Sequence, residues 1–294
     1  MQKRTILILI FAAILLIAPA CGRQDDAAEA PAAVVEEDTA AQVEDAPAPA
    51  VASGPCNNVL FPLADGNQWV YEATSPGGDG NPTTSEYAWS VSAGSGDSVT
   101  LGTLFYDSGT VVSANVQCVD GAVENFPLTV SNLVIGDLEG AIEYTYVSGK
   151  YLPSLQELEA GNWQNTWQTV VNASGTIATD YEGQGMTIVL EDSPITMDWQ
   201  ILEKDVSVSV PAGDFSDAVR VNQKMKFEIN SLSISADMPI NISTTMTFDS
   251  DYWFVPNLGL VKTQVNSAYM DLFGSNFPVE MTGGSVLISS NLLN

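Results

Sequence analysis

The chain has no histidine. Only nine of its 294 residues are basic against 36 acidic ones, for a net charge of −27. The missing imidazole removes the commonest general base and the commonest transition-metal ligand. The shortage of Lys and Arg argues against nucleic acid as a partner, because a strongly acidic surface repels the phosphate backbone. Cysteine is scarce too. There are three, at positions 21, 56 and 118, and no C-x-x-C pair to hold zinc. No apolar run reaches the roughly 20 residues that a membrane-crossing helix needs. No long stretch repeats with helical period, so little helix is expected.

The catalytic sets tried against these residues fail on chemistry. A serine nucleophile needs a base beside it, and there is neither His nor a G-x-S-x-G elbow between strand and helix. Glycoside hydrolysis needs a paired acid and carboxylate, and no motif singles out a pair among so many acids. The chain therefore reads as a non-enzyme. Two short segments, Asp79-Gly-Asn81 and Asp249-Ser-Asp251, have oxygen ligands suited to Ca²⁺. Neither fits the twelve-residue EF-hand loop, and solvated turns are the plainer reading. No other cofactor is suggested.

What is present begins at the N-terminus. Lys3 and Arg4 precede an apolar run from Ile6 to Ile17, followed by Ala18-Pro19-Ala20-Cys21-Gly22. A charged start, a short apolar middle and small residues at a cut site make a secretory signal over residues 1–20. The cysteine after the small residues resembles the lipobox of bacterial lipoproteins, with Ala18 where that family favours Leu. The resemblance implies that Cys21 becomes the mature N-terminus and carries the lipid, palmitate included. It also implies a bacterial, extracytoplasmic protein held to a membrane, with the leaflet left open. A cleaved signal with an incidental cysteine is the alternative.

Residues 22–55 hold eight acids, one Arg and no aromatic residue among Ala, Pro and Val. Low hydrophobicity and self-repelling charge favour an extended tether over a packed element. The expected organisation is therefore a signal over 1–20, lipidated Cys21 with its tether to residue 55, and one β domain over 56–294. With Cys21 acylated, Cys56 and Cys118 remain as a pair for a disulfide in an oxidising compartment. Two separate buried thiols are the alternative.

From Phe61 onward, short β-rich runs recur between Gly, Asp and Ser turns. They include Trp69–Tyr71, Tyr87–Val91, Val112–Val119, Met186–Leu190, Met197–Leu202 and Val206–Val210. Leu155–Leu158 reads as a short helical turn. The clearest alternation lies at 219–248. There Val219, Val221, Met225, Phe227 and Ile229 interleave with Arg220, Asn222, Lys224, Lys226 and Glu228. Past Asn230-Ser231 the phase slips by one, which predicts a turn or a bulge. Period two with one wet side marks antiparallel sheet. The fold class expected is all-β: one large antiparallel sheet, as a half-barrel, barrel or sandwich, with little helix apart from the signal.

Three segments resemble a broad set of uncharacterised bacterial secreted proteins. Phe61-Pro-Leu-Ala-Asp-Gly66-Asn67-Gln-Trp69-Val-Tyr71 resembles their "FPL..GN.W.Y" opening. Val208-Ser-Val-Pro211-Ala-Gly213-Asp-Phe215 resembles "V.VPAG.F". Tyr252-Trp253-Phe254-Val-Pro256-Asn-Leu-Gly259-Leu-Val-Lys262 resembles "YWFAPGVGLVK". These proteins are loosely similar to half-barrels of the LolA lipoprotein-carrier kind, an analogy of fold that carries no function by itself.

Two roles follow as expectations. The first is a membrane-tethered protein with a non-enzymatic binding or scaffold role toward an envelope protein or glycan. The second is a carrier of lipid or another apolar small molecule. Its cleft would be lined by Trp69, Trp89, Met225, Phe227, Met238 and Met246, since Met adapts to varied apolar ligands. Ordinary core packing is the alternative for these residues.

Overall fold

The computed structural model describes residues 56–76, 82–126, 139–181, 184–234, 242–272, 274–279 and 283–293. Thirteen strands form one antiparallel sheet. They are β1 (Gln68–Pro76), β2 (Pro82–Ala93), β3 (Ser98–Phe105), β4 (Thr110–Val119), β5 (Ala122–Asn125), β6 (Glu139–Gly149), β7 (Thr166–Tyr181), β8 (Gln184–Val210), β9 (Gly213–Ile234), β10 (Ile242–Val255), β11 (Gly259–Leu272), β12 (Ser275–Val279) and β13 (Gly284–Ser290). The order is β5-β4-β3-β2-β1-β13-β11-β10-β9-β8-β7-β6, with β12 paired to β11. One short helix, α1 (Leu155–Ala160), interrupts the series.

The ends of that order, β5 and β6, nearly meet. Val123 of β5 bridges Leu152, just past β6. The Val123 amide donates to the Leu152 carbonyl at 2.9 Å, and the Leu152 and Tyr151 amides donate back to the Val123 carbonyl. Of the three architectures open in the sequence, the structure is the nearly closed barrel.

The barrel has one plugged end. Leu60, Phe61 and Leu63 lie inside it, almost without exposure. Cys56 is joined to Cys118 of β4, with Cα atoms 5.2 Å apart. Asn58, also buried, holds the plug. Its amide donates to the Gly121 and Pro153 carbonyls, both at 2.8 Å, while its carbonyl accepts from the Leu60 and Phe61 amides. α1 seals the rim beside it. Ser154 and Glu157 form a reciprocal capping box, Lys150 pairs with Glu157, and Leu158 is buried.

The motif segments meet at this end. The Trp69 indole donates to the Leu258 carbonyl at 2.6 Å, and the Tyr71 hydroxyl to the Leu260 carbonyl at 2.9 Å. The Asn257 amide donates to the Val59 carbonyl at 2.7 Å. Gly259 has φ +113, and a Cβ there would stand 2.8 Å from Phe61 Cδ2 and 3.1 Å from Trp69 Nε1. Only glycine fits this backbone and this contact. The opening motif thus supplies aromatic side chains, and the Pro256–Gly259 turn supplies the carbonyls they bind. The third segment joins them where the Ala212 amide donates to the Leu287 carbonyl of β13. Phe215, which ends that segment, is half-buried at the core's margin.

One expectation is corrected, and an alternative left open is decided. The three runs at 186–190, 197–202 and 206–210 are one 27-residue strand, β8. The turn-like residues between them make bulges. The β8–β9 register shifts between Val189 and Ile195 and again between Glu203 and Val206, and Asp192 and Asp205 take positive φ. Pro194 sits within the first interruption, the place a strand tolerates proline. The phase slip at Asn230-Ser231 is also a bulge, shown by the register shift from Ile242–Leu232 to Thr244–Ile229. Asn230 pins it by accepting from the Glu191 amide and the Ser193 hydroxyl.

Candidate functional site

Outside the barrel, five of the six described basic residues lie on β8, β9 and β11. They are Lys204, Arg220, Lys224, Lys226 and Lys262. Each is answered locally. Lys224 lies across from Asp198 and Asp249, and Lys226 pairs with Glu228 at 2.7 Å. Arg220 and Lys262 flank the Trp253 ring, at 5.5 and 4.8 Å from its centroid.

Asp249 and Asp251 lie in mid-strand on β10, not in a turn. Asp251 is almost unexposed, and its Oδ2 accepts from Arg220 Nη2 at 2.6 Å. Asn222 donates to Asp251 Oδ1 at 2.9 Å and to Asp249 Oδ1 at 2.7 Å, and Asn266 also reaches Asp249. A guanidinium and amides occupy the oxygens that a cation would need. Among the described residues no group of three metal-ligating side chains forms.

Burial alone pushes the Asp251 carboxyl up, but hydrogen bonds from Asn222, Arg220 and Asn266 outweigh it and hold the carboxyl below its usual range. A carboxylate depressed in the folded state stabilises above its unfolded pKa, about 3.9, and loses that stabilisation as pH falls through the folded value. The acid limb of stability below about pH 4 should therefore flatten in Asp251→Asn. Urea unfolding from pH 7 down to 2 measures this, and an unchanged limb would exclude Asp251 as its source.

Inside the barrel, the side chains fall into layers. Next to the plug, aromatic rings fill the lumen. Phe61 packs on Trp69 at 4.9 Å and on Trp89 at 5.6 Å. Contacts then run from Trp89 to Phe126, Tyr151, Trp199 and Tyr252, at 4.2 to 5.9 Å between successive centroids. The Trp89 indole nitrogen and the Thr103 hydroxyl, on facing positions of β2 and β3, have no hydrogen-bond partner among the described residues. Edge-on neighbours around Trp89 leave its N–H the option of a ring face.

Beyond the rings, β8, β9 and β10 present three inward rows: Trp199-Gln223-Ser250, then Met197-Met225-Phe248, then Ile195-Phe227-Met246. All nine side chains are buried and uncharged. Towards this same end, Pro82–Glu86 of β2 and Thr110–Ser113 of β4 are exposed on both faces. The wall of β8–β10 keeps its apolar lining where the facing wall is open to solvent.

The residues proposed for one cleft thus separate. Trp69 and Trp89 belong to the filled ring layer, and Trp69 has already committed its indole N–H. Met225, Phe227 and Met246 stand together on the far wall. Met238, Cys21, the tether and Asp79-Gly-Asn81 lie outside the described residues. Sequence reasoning missed Gln223 and Asn58. Gln223 left a trace as the one polar break in the apolar phase Val219, Val221, Met225, Phe227. Asn58, in a non-repetitive segment, left none.

No family model and no curated protein matches the chain. Two solved structures are similar in fold. One is from Bacteroides fragilis and is described as exported, with a YmcC-like fold. It is 15% identical, with 79% of this chain and 98% of that one covered, at a TM-score of 0.43. The other, from Parabacteroides distasonis, is described as a lipoprotein. It is 19% identical, with 80% and 99% covered, at a TM-score of 0.42.

Proposed function

We propose that this protein is a lipid-anchored, extracytoplasmic barrel with a binding role and no catalysis of its own. The observation that carries the reading is the pairing of a lipobox-like Cys21 with a disulfide between the two remaining cysteines, Cys56 and Cys118. Such bonds persist outside the reducing cytosol. Acyl chains anchor by burying about 0.8 kcal/mol of free energy per CH₂, so more than one chain makes a stable attachment. The barrel's described inward residues support binding over chemistry, because no charged group stands among them to act as acid, base or nucleophile activator. In its native host, Cys21→Ser should move the protein from membrane to soluble fractions and abolish acyl labelling. A Ser variant that stays in the membrane and still takes up label would end the anchor assignment.

The second reading, a carrier of an apolar small molecule, has its own observation. Met197, Met225, Phe227, Met246 and Phe248 line one inner wall toward the end where β2 and β4 are uncovered. An apolar concave wall with a few polar groups is the usual form of a small-molecule site.

A further inference from the structure

The plugged end carries exposed apolar side chains around the point where the chain comes in. Val119, next to Cys118 on β4, is 47% exposed, and Leu155, the first residue of α1, is 44% exposed. The turn after Val119 and the residue before Leu155 meet at that point. A Cβ on Gly121 would stand 3.6 Å from the Asn57 carbonyl oxygen and 3.9 Å from Ser154 Cβ. Just past α1, Trp163 is half-buried, with Lys204 Nζ 5.0 Å from its ring centroid. Its amide donates to the Leu158 carbonyl at 2.9 Å. Leu202 of β8 is exposed beside it, and its neighbour Ile201 donates its amide to the Asn165 carbonyl at 3.1 Å. Asn162 and Trp163 both take positive φ, +50 and +56. For a residue as bulky as Trp this backbone is strained, and such strain gathers at functional sites.

We propose that this rim rests on the surface of the bilayer that holds the anchor, with Val119, Leu155 and Trp163 at headgroup level. The assignment rests on the lipid-anchor reading and adds the barrel's orientation, plugged end toward the membrane and uncovered end away. The chain itself names the occupant. Residues 22–55 join Cys21 to Cys56, so the anchor is reached from the plugged end and from no other. Fully extended, that stretch spans at most about 120 Å. Confinement of this kind makes the contact intramolecular, and it then needs little affinity of its own. The side chains suit the place. An indole has an apolar body and a polar N–H, and a Lys stem lies along apolar surface while its ammonium reaches outward to phosphate. Charge selects the lipid. Asp120 and Glu159 are exposed on this rim, Lys150 is committed to Glu157, and Lys204 lies 3.6 Å from Asp205. Such a rim is repelled by anionic headgroups and fits zwitterionic ones.

The test inserts the mature acylated protein, purified from its host, into vesicles of phosphatidylcholine brominated near the headgroup, which quenches tryptophan on contact. Wild type should be quenched. Trp163→Phe should lose that quenching, because Trp69, Trp89 and Trp199 are fully buried in the barrel. Leu155→Glu should lose it too, with the indole still present, and it keeps the test open should Trp163→Phe fail to fold. Mixing phosphatidylglycerol into the vesicles should weaken the quenching of wild type. Quenching that both folded variants retain, or none in a wild type that floats with the vesicles, overturns the contact and leaves the anchor standing. Quenching that anionic lipid strengthens overturns the zwitterionic assignment. A protein that neither carries acyl chains nor floats with the vesicles overturns both anchor and contact.

Discussion

Replacing both Cys56 and Cys118 with Ala should lower the melting temperature by about 10 °C. The bond closes a loop with a sequence separation of 62. A loop of that size restricts the unfolded chain by about 4 kcal/mol in the chain-entropy model. At 2–4 °C per kcal/mol for a domain of roughly 150–250 residues, the shift is on the order of 10 °C. The location adds to the effect. Cys56 starts the plug, and without the bond Leu60, Phe61 and Leu63 would be held by Asn58 and packing alone. Calorimetry of the oxidised protein and the double variant decides the matter, and coincident transitions would mean that the plug holds without the bond.

Trp69→Ala should cost about 5 kcal/mol, more than any other single substitution considered. Truncating a buried Trp or Phe typically costs 3–5 kcal/mol, and an orphaned buried carbonyl adds roughly 1–3 kcal/mol. Trp69 meets both conditions. It is completely buried against Phe61, and its indole bonds the carbonyl of buried Leu258. Tyr71→Phe, which removes only the bond to Leu260, should cost about 1 kcal/mol. Denaturant midpoints for the two variants compare them directly. Similar losses in both would show that Trp69 and the Pro256–Gly259 turn are not coupled as described.

The strands were legible because most of them bury one face, which gives period two. That pattern placed β9 and most of β10, and it exposed the slip at Asn230. Strand number was not legible in β8. Asp192 and Asp205 carry the chemistry of turns, and residues that accept positive φ serve a bulge as well as a hairpin. Only pairing with β9 across the whole length distinguishes the two, and pairing is a long-range fact. The same limit applies inside the barrel. Trp89 and Met225 look alike as inward apolar residues, yet one packs in the ring layer and the other lines the far wall. Which layer a residue joins depends on how far each strand is displaced against its neighbour, and alternation does not encode that displacement.

The place of β13 sets the order in which the barrel can be built. β1 to β5 form one run of consecutive hairpins and β6 to β11 another, so each run can zip up from contacts close along the chain. The two runs join on this side only through β13, which lies between β1 and β11 and pairs Trp69 with Ser290. Closing the loop between those residues must wait for nearly the whole chain, and non-local closure of this kind is slow. Until the last strand arrives, β1 and the Lys262–Gln264 stretch of β11 remain unpaired edges, the form most prone to pair with another molecule, while β12 already covers Ala268–Leu272. A chain cut ahead of Gly284 would stay in that state, with no strand between β1 and β11 and the two runs bridged only at their other ends, by Val123 and Leu152.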